Sequence, residues 1–233
     1  MRVALVTGAA RGIGRAIAHD LAGDHATAIT HHTTDPGPLL SERPDIFPIK
    51  ADLSNSEEAA HVIQSVIDQF GQIDVIVNNA GVVLPTPCKA EAFDDHRLTL
   101  EVNLIAPVAL LSAALPHLKP GASVINISSG NAVLPAKGAS IYSASKAALN
   151  TWTRGMAKEL GPRGIRVNAI SPGAIERKES PRPDDLIELF VKDTALGRVG
   201  APEDITPVVR FLATNASAFI TGENISVSGG YRL

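Results

Sequence analysis

Residues 3–22 read Val3-Ala4-Leu5-Val6-Thr7-Gly8-Ala9-Ala10-Arg11-Gly12-Ile13-Gly14-Arg15-Ala16-Ile17-Ala18-His19-Asp20-Leu21-Ala22. A short apolar run ends in a glycine-rich turn. The turn opens into a stretch in which Ile13, Ile17 and Leu21 recur at spacing four. That is a strand from Val3 to Thr7, a turn, and a helix from Arg15 to Ala22. Gly8, Gly12 and Gly14 permit a tight bend and let backbone amides come close to a phosphate. The amino end of the helix adds partial positive charge there. In a strand–turn–helix setting this chemistry points to a bound dinucleotide. The spacing is Gly-x-x-x-Gly-x-Gly, not the more widespread Gly-x-Gly-x-x-Gly.

The same alternation runs outward along the chain. Strands are expected at Ala26–His31, Ile46–Lys50, Ile73–Val77, Ala122–Ile127, Ile165–Ile170 and Asn224–Val227. Helices are expected at Ser56–Phe70, Phe93–Leu118, Tyr142–Leu160, Asp184–Lys192 and Pro202–Thr214. In the Ser56–Phe70 helix the buried face is read as Ala60, Ile63, Val66, Ile67 and Phe70. Gly161-Pro162 closes the Tyr142 helix. Pro207 falls inside the Pro202 helix and should kink it or limit its first turns. Prolines 36, 38, 44 and 48 exclude a long helix between Thr33 and Pro48. Strands alternating with helices predict an α/β fold: a doubly wound parallel sheet of about seven strands with helices on both faces. Sites in such sheets lie beyond the carboxyl ends of the strands.

One of those ends carries the chemistry. The apolar run to Ile127 delivers two hydroxyls, Ser128 and Ser129, and Tyr142 follows Ser129 by thirteen positions. Lys146 comes four residues after Tyr142, one turn along the same helical face. An ammonium beside a phenol favours the phenolate, and such a phenol can pass a proton to or from a substrate oxygen. A nearby serine hydroxyl can hold that oxygen.

Bulk properties narrow the remaining classes. The chain has 233 residues, 45% hydrophobic and 19% charged, as expected for one globular domain spanning 1–233. A net charge of -3 gives no reason to expect nucleic acid or an anionic membrane as partner. Cys88 is the one cysteine, so no internal disulfide can form, which fits a reducing compartment. The first apolar stretch, Val3 to Val6, is too short for a signal peptide or a membrane span. A cytoplasmic location is expected. The seven histidines show no zinc-type spacing, and adjacent His31 and His32 point to opposite faces of a strand, so no metal site is expected.

With these motifs together the chain resembles the short-chain dehydrogenase/reductase family, of the 3-oxoacyl-acyl-carrier-protein reductase-like type. The resemblance rests on Thr7-Gly8-x-x-x-Gly12-Ile13-Gly14, Asp52-Leu53, Asn78-Asn79-Ala80-Gly81, Asn103, Ser129, Tyr142-x-x-x-Lys146, Pro172-Gly173, Ile220-Thr221-Gly222 and Gly229-Gly230, and it covers essentially the whole chain. It implies a Rossmann fold and an oxidoreductase that interconverts a carbonyl compound and a secondary alcohol. It assigns a tetrad of Asn103, Ser129, Tyr142 and Lys146. Tyr142 would be the general acid and base, Ser129 would orient the substrate oxygen, and Lys146 would also hold the nicotinamide ribose. Asn103 would help anchor a water in a proton relay. Asp52 would accept from the adenine amino group and Leu53 would offer a backbone amide. Asn79, Ala80, Gly81, Pro172, Gly173 and Ile175 would pass close to the cofactor. The family mostly forms homodimers or homotetramers through the two long helices, and Ala144, Ala147 and Ala148 would permit close approach there.

Cofactor choice rests on two places. The end of strand two reads Thr30-His31-His32-Thr33-Thr34, with no acid before Asp35 to bind a ribose diol. Arg11, inside the glycine turn, is placed to face an extra phosphate on the adenosine ribose, and His32 is a further candidate cofactor contact. Both features favour NADP(H) over NAD(H). The family often carries a threonine four residues beyond Gly173; this chain has Arg177 there, after Glu176. The stretch at about 177–200 is polar and proline-bearing, then amphipathic at Leu186, Ile187, Leu189 and Phe190, as a substrate lid would be. The expected pocket rim is Val82 to Thr86, Gly130 to Leu134 and Ala174 to Phe190. It is mainly apolar, which suits a small or medium carbonyl compound. Two alternatives stand beside this reading: NAD-dependent alcohol oxidation, and a non-catalytic dinucleotide-binding regulatory protein.

Overall fold

The computed structural model describes residues 1–85, 92–176, 179 and 181–232. Thr86 and Cys88, and the Arg177 and Lys178 of the expected lid, lie outside the described residues. The strands are β1 (Arg2–Val6), β2 (His25–His31), β3 (Phe47–Lys50), β4 (Val75–Asn78), β5 (Ser123–Ile127), β6 (Arg166–Pro172) and β7 (Asn224–Val227). They form one sheet in the order β3-β2-β1-β4-β5-β6-β7, and every neighbouring pair is parallel. The central strands are mostly apolar because both faces are covered. The chain reverses direction of winding between β1 and β4. Their carboxyl ends therefore diverge into a crevice, the place where such sheets bind ligands.

Two helical layers cover the sheet. On one face α3 (Glu58–Phe70), α5 (Ala106–Ala114) and α6 (Ser140–Leu160) bury Val62, Leu110, Leu111, Ala157 and Leu160 against Leu5, Ile76 and Val124. On the other, α1 (Gly12–Leu21) and α8 (Thr206–Ala213) bury Ile17, Leu21, Val209 and Leu212 against Val6, Val77 and Ile125. Each such aliphatic side chain contributes about 1.5–3 kcal/mol by leaving water. In α3 the inward residue is Ala59, and Ala60 is exposed, a correction of one position to the expected face.

Three places depart from the simple helix pattern, each for a physical reason. The expected Phe93–Leu118 helix is α4 (Phe93–Leu100), a π-helical turn (Glu101–Ile105) and α5, which stops at Ala114. The wide turn surrounds the fully buried Asn103. Phe93–Ala114 is long and apolar enough to cross a bilayer (mean hydropathy 1.4), but its second half packs as a layer helix on α3. Pro207 splits the helix expected from Pro202: a 3₁₀ turn (Pro202–Asp204) precedes α8, and the proline sits in the first turn of α8, where no amide partner is lost. The proline-bearing stretch after β2 holds only the six-residue α2 (Gly37–Glu42), and Pro48 lies in β3, an edge strand that tolerates it.

A buried polar line runs across the sheet into α6. Asn78 Nδ2 donates to Asn126 Oδ1 at 2.8 Å, and Asn126 Nδ2 donates to Thr153 Oγ1 at 2.8 Å. Side-chain amides in an apolar layer are expensive to leave unpaired, so this line fixes the register of α6 against β4 and β5. Lys146 lies two turns before Thr153 on α6, so the same bonds set its position.

Candidate active site

The glycine turn is held from two sides. Gly8 N–H donates to Thr30 Oγ1 at 3.0 Å, and Asn79 Nδ2 donates to the carbonyls of Thr7 (2.9 Å) and Gly8 (3.1 Å). Thr7 Oγ1 accepts from the amides of Asn79 (3.0 Å) and Ala80 (2.9 Å). The turn is so close to the end of β4 that side chains are excluded. A Cβ on Gly14 would lie 2.3 Å from Asn79 Nδ2, and one on Gly8, whose φ is +62°, would lie 2.8 Å from Ala80 Cα. Gly8, Gly14, Asn79 and Ala80 thus form one closely packed piece. Ile13 stands in the first turn of α1, with its amide near the helix end. Gly173 is pressed against Ser228 in the same way, with 2.7 Å from a built Cβ to Ser228 Cα. Pro172 ends β6, and Ile175 is buried in a bridge to Gly200.

The amide of Gly12 already has an anion. It donates to Glu179 Oε1 at 3.2 Å, although the residues are 167 positions apart. Arg11, the exposed N-cap residue of α1, offers no side-chain cap, and the first turn holds no acid. The helix terminus therefore takes a carboxylate from the connection that follows β6, as the positive end of its dipole favours. A turn that accepts this carboxylate fits the phosphates of a dinucleotide.

At the adenosine end, Asp52 accepts from the amide (3.0 Å) and hydroxyl (2.7 Å) of Ser54, and these bonds hold its carboxyl below the usual carboxylate range. His32 Nε2 stands 3.8 Å from Asp52 Oδ2, with both side chains about half exposed. Leu53 is buried beside them. Asp35 accepts from Gly37 N–H at 2.9 Å across its own turn. The end of β2 therefore presents His31 and His32, with Asp52 of the neighbouring β3 connection as the acid beside them.

The four tetrad residues sit on three adjoining pieces: the π-turn, the end of β5, and the first turns of α6. Lys146 is 4% exposed, and its Nζ donates to Ile127 O at 2.8 Å. That Nζ lies 6.0 Å from the centroid of the Tyr142 ring. Ser128 is buried and turned to the backbone of α6, its Oγ donating to Lys146 O at 3.3 Å. Ser129 instead caps the following 3₁₀ turn, accepting from Asn131 N–H at 3.1 Å. A hydroxyl that accepts from an amide keeps its own proton for another acceptor, so Ser129 is the serine suited to a substrate oxygen.

Asn103 differs in detail from expectation. Its Oδ1 accepts from Val82 N–H at 2.8 Å, and its Nδ2 donates to Val82 O at 3.0 Å and to Ser145 Oγ at 3.1 Å. The side chain is spent on the β4–α4 loop and α6. Any water it anchors must be held by the backbone of the widened turn. Sequence reasoning missed Thr30, Ser145 and Glu179. Thr30 and Ser145 gave no separate signal, and Glu179 lay in the polar run already read as lid. Among the described residues no group of three or more His, Cys, Asp and Glu side chains gathers as metal ligands.

Burial pushes the Lys146 ammonium down to about 8. Between that value and the ordinary 10.5, the unfolded chain binds more protons than the folded one. The cost to stability is complete below about pH 8 and fades as pH rises toward 10.5. Lys146→Met should therefore stabilise the fold at pH 7 by about 2 kcal/mol, after the lost hydrogen bond to Ile127 is counted. Urea denaturation of both proteins at pH 7 and pH 10 checks this: the gap should shrink at the higher pH.

Comparison with known proteins identifies the family. A family model described as enoyl-(acyl carrier protein) reductase matches residues 8–232. A 3-oxoacyl-[acyl-carrier-protein] reductase of Synechocystis is 34% identical over 242 residues, covering 98% of this chain and 96% of that one. A short-chain dehydrogenase from Burkholderia cenocepacia, solved in complex with NADP, superposes with a TM-score of 0.94 at 32% identity, covering 100% of this chain and 98% of its own. A blue fluorescent protein from a metagenomic library, solved in complex with NADPH, gives a TM-score of 0.93 at 34% identity, with coverage of 100% and 98%. With a family match over nearly its whole length and a parallel seven-stranded Rossmann-like sheet, the chain belongs to the short-chain dehydrogenase/reductase family of oxidoreductases.

Proposed function

We propose that this protein is an NADP(H)-dependent carbonyl reductase, interconverting a small or medium carbonyl compound and its secondary alcohol with Tyr142 as proton donor and acceptor. The observation that carries this reading is the buried Lys146 ammonium, one helical turn from the half-buried Tyr142 and 6.0 Å from its ring. An ammonium fixed in an apolar setting acts on the phenol with little screening and favours its ionised form.

Bound NADPH supplies the hydride for such a reaction. The residues of this chain do the rest. Tyr142 Oη donates its proton to the carbonyl oxygen as negative charge develops there, and takes it back in the oxidative direction. Ser129 donates a hydrogen bond to the same oxygen and fixes its position. Lys146 keeps Tyr142 acidic and holds the nicotinamide ribose. Asn103, through the π-turn backbone, holds the water that returns a proton toward Lys146. Asp52 and Leu53 receive the adenine, and Gly81, with Lys146 Nζ 3.6 Å from its built Cβ, leaves room for the ribose. Exposed Val83 (63%), Val133 (76%) and Leu134 (38%) on the loops after β4 and β5 favour an apolar substituent on the carbonyl carbon.

Tyr142→Phe keeps the ring and removes the proton. NADPH consumption with a ketone panel should fall roughly 10²–10⁴-fold while the NADPH dissociation constant stays the same. Undiminished turnover by the phenylalanine variant would sink the mechanism. Binding of NADPH without turnover by either protein would favour the regulatory alternative.

Preference for NADP(H) rests on Arg11 and on the lack of an acid in the Thr30–Thr34 run that ends β2. Arg11→Ala should raise the NADPH dissociation constant roughly tenfold and leave that of NADH unchanged, as read by cofactor fluorescence titration. Equal wild-type affinities for the two would favour the NAD-dependent alternative.

The same reading includes a homodimer or homotetramer built through the two long helical segments. Phe93 (61% exposed), Leu98 and Ile105 form apolar surface on one of them, and Ala144 is exposed on the other. Light scattering should give two or four times the chain mass of 24.4 kDa; a monomer at all concentrations would contradict it.

A further inference from the structure

The helix that follows β6, α7 (Asp184–Lys192), has no buried residue, and Leu189 is 61% exposed. A helix with so little packing needs holding at its ends. At its entry Arg182 Nη1 donates to Ile175 O at 2.6 Å and to Glu176 Oε2 at 3.3 Å. At its exit the C-terminal tail bridges to it: Thr194 pairs with Tyr231, Arg232 N–H donates to Asp193 O at 2.9 Å, and Arg232 Nε to Asp193 Oδ2 at 3.0 Å. Between these holds lies Phe190. The Arg182 guanidinium stands 5.4 Å from the centroid of its ring, and the Tyr231 ring meets it edge-on at 5.7 Å and 65°. Arg232 in turn stands 5.3 Å from the Tyr231 ring centroid. Glu179, in the connection before α7, reaches the glycine turn, where its carboxylate accepts from Gly12 N–H.

We infer that Tyr231 is a positioning residue of the active site: its ring clamps Phe190 against Arg182 and so fixes α7 as the lid over the carbonyl pocket. This rests on the reductase reading above. The clamp is aromatic and cationic rather than a packed apolar seam. Ring edges and guanidinium faces attract with a defined geometry yet bury little surface. Such a contact holds the lid in one place and lets it release without unfolding a core. Tyr231 touches the lid and not the glycine turn, so its loss should be felt by the carbonyl compound and not by the nucleotide.

The test compares Tyr231→Ala with Tyr231→Phe. In the alanine variant KM for a ketone that the wild type reduces should rise about tenfold, with the NADPH dissociation constant within about twofold of wild type. The phenylalanine variant keeps the ring edge and should match wild type. Hydrogen exchange gives a readout independent of turnover: amides 186–193 should lose protection in the alanine variant, while those of β6 and β7 keep theirs. Unchanged KM and unchanged exchange in the alanine variant would overturn the proposal. So would a parallel rise in KM and NADPH dissociation constant, or a phenylalanine variant as impaired as alanine. If the wild type reduces no carbonyl compound, the reductase reading fails, and the exchange result alone decides the clamp.

Discussion

The structure depends on how closely the turn after β1 approaches the end of β4. Thr7 supplies one hydroxyl to two amides of the Asn79-Ala80 step, and Asn79 returns its amide to the carbonyls of Thr7 and Gly8. No side chain fits between them at Gly8 or Gly14. The result is a rigid floor at the crevice between β1 and β4, built from backbone. Such a floor presents amides to phosphate without adding charge of its own, and its position is fixed by strands on either side. The residues of the β4 end then lead directly to Val82, where Asn103 is bonded, and through Ser145 to the helix of Tyr142. The turn after β1 and the helix that carries Tyr142 are thus joined through one short run of chain and its hydrogen bonds.

Much of this was legible in the sequence. Seven apolar β-branched runs gave seven strands, because a parallel sheet covered on both faces needs no alternation to disguise it. The strand–turn–helix step at the glycines was readable because it is local: at Gly8 and Gly14 only glycine permits those approaches. Lys146 and Tyr142 share a helical face because spacing four requires it once the helix exists. What was hidden depended on contacts across long separations. The inward turn of Ser128, whose hydroxyl donates to Lys146 O on α6, is one such contact. The engagement of Asn103 with Val82 and Ser145, and of Gly12 with Glu179, joins residues that no local pattern relates. The split of the helix before Pro207 was readable from proline chemistry, whereas the π-turn was not, because a buried asparagine in an apolar helix does not announce its partners.

Buried polarity is concentrated where position matters. Asn78, Asn126 and Thr153 form a line through an otherwise apolar layer, and Lys146 lies beside its end. These groups carry desolvation costs that a leucine would not. In return each has a defined direction, and the direction passes from sheet to helix. Aliphatic packing alone would leave α6 able to slide or rotate by small amounts with little penalty; paired amides do not allow that.

The widened turn at Glu101–Ile105 places an additional residue into what is otherwise a continuous rod from Phe93 to Ala114. Each residue of a helix turns the chain by about a hundred degrees. One removed at this point would smooth the rod and simultaneously rotate everything on one side of it, so that either the asparagine or the face packed on α3 would look the wrong way. Length variation, harmless in a surface loop, is therefore forbidden in the middle of this segment, and the irregular form is the one the fold can use.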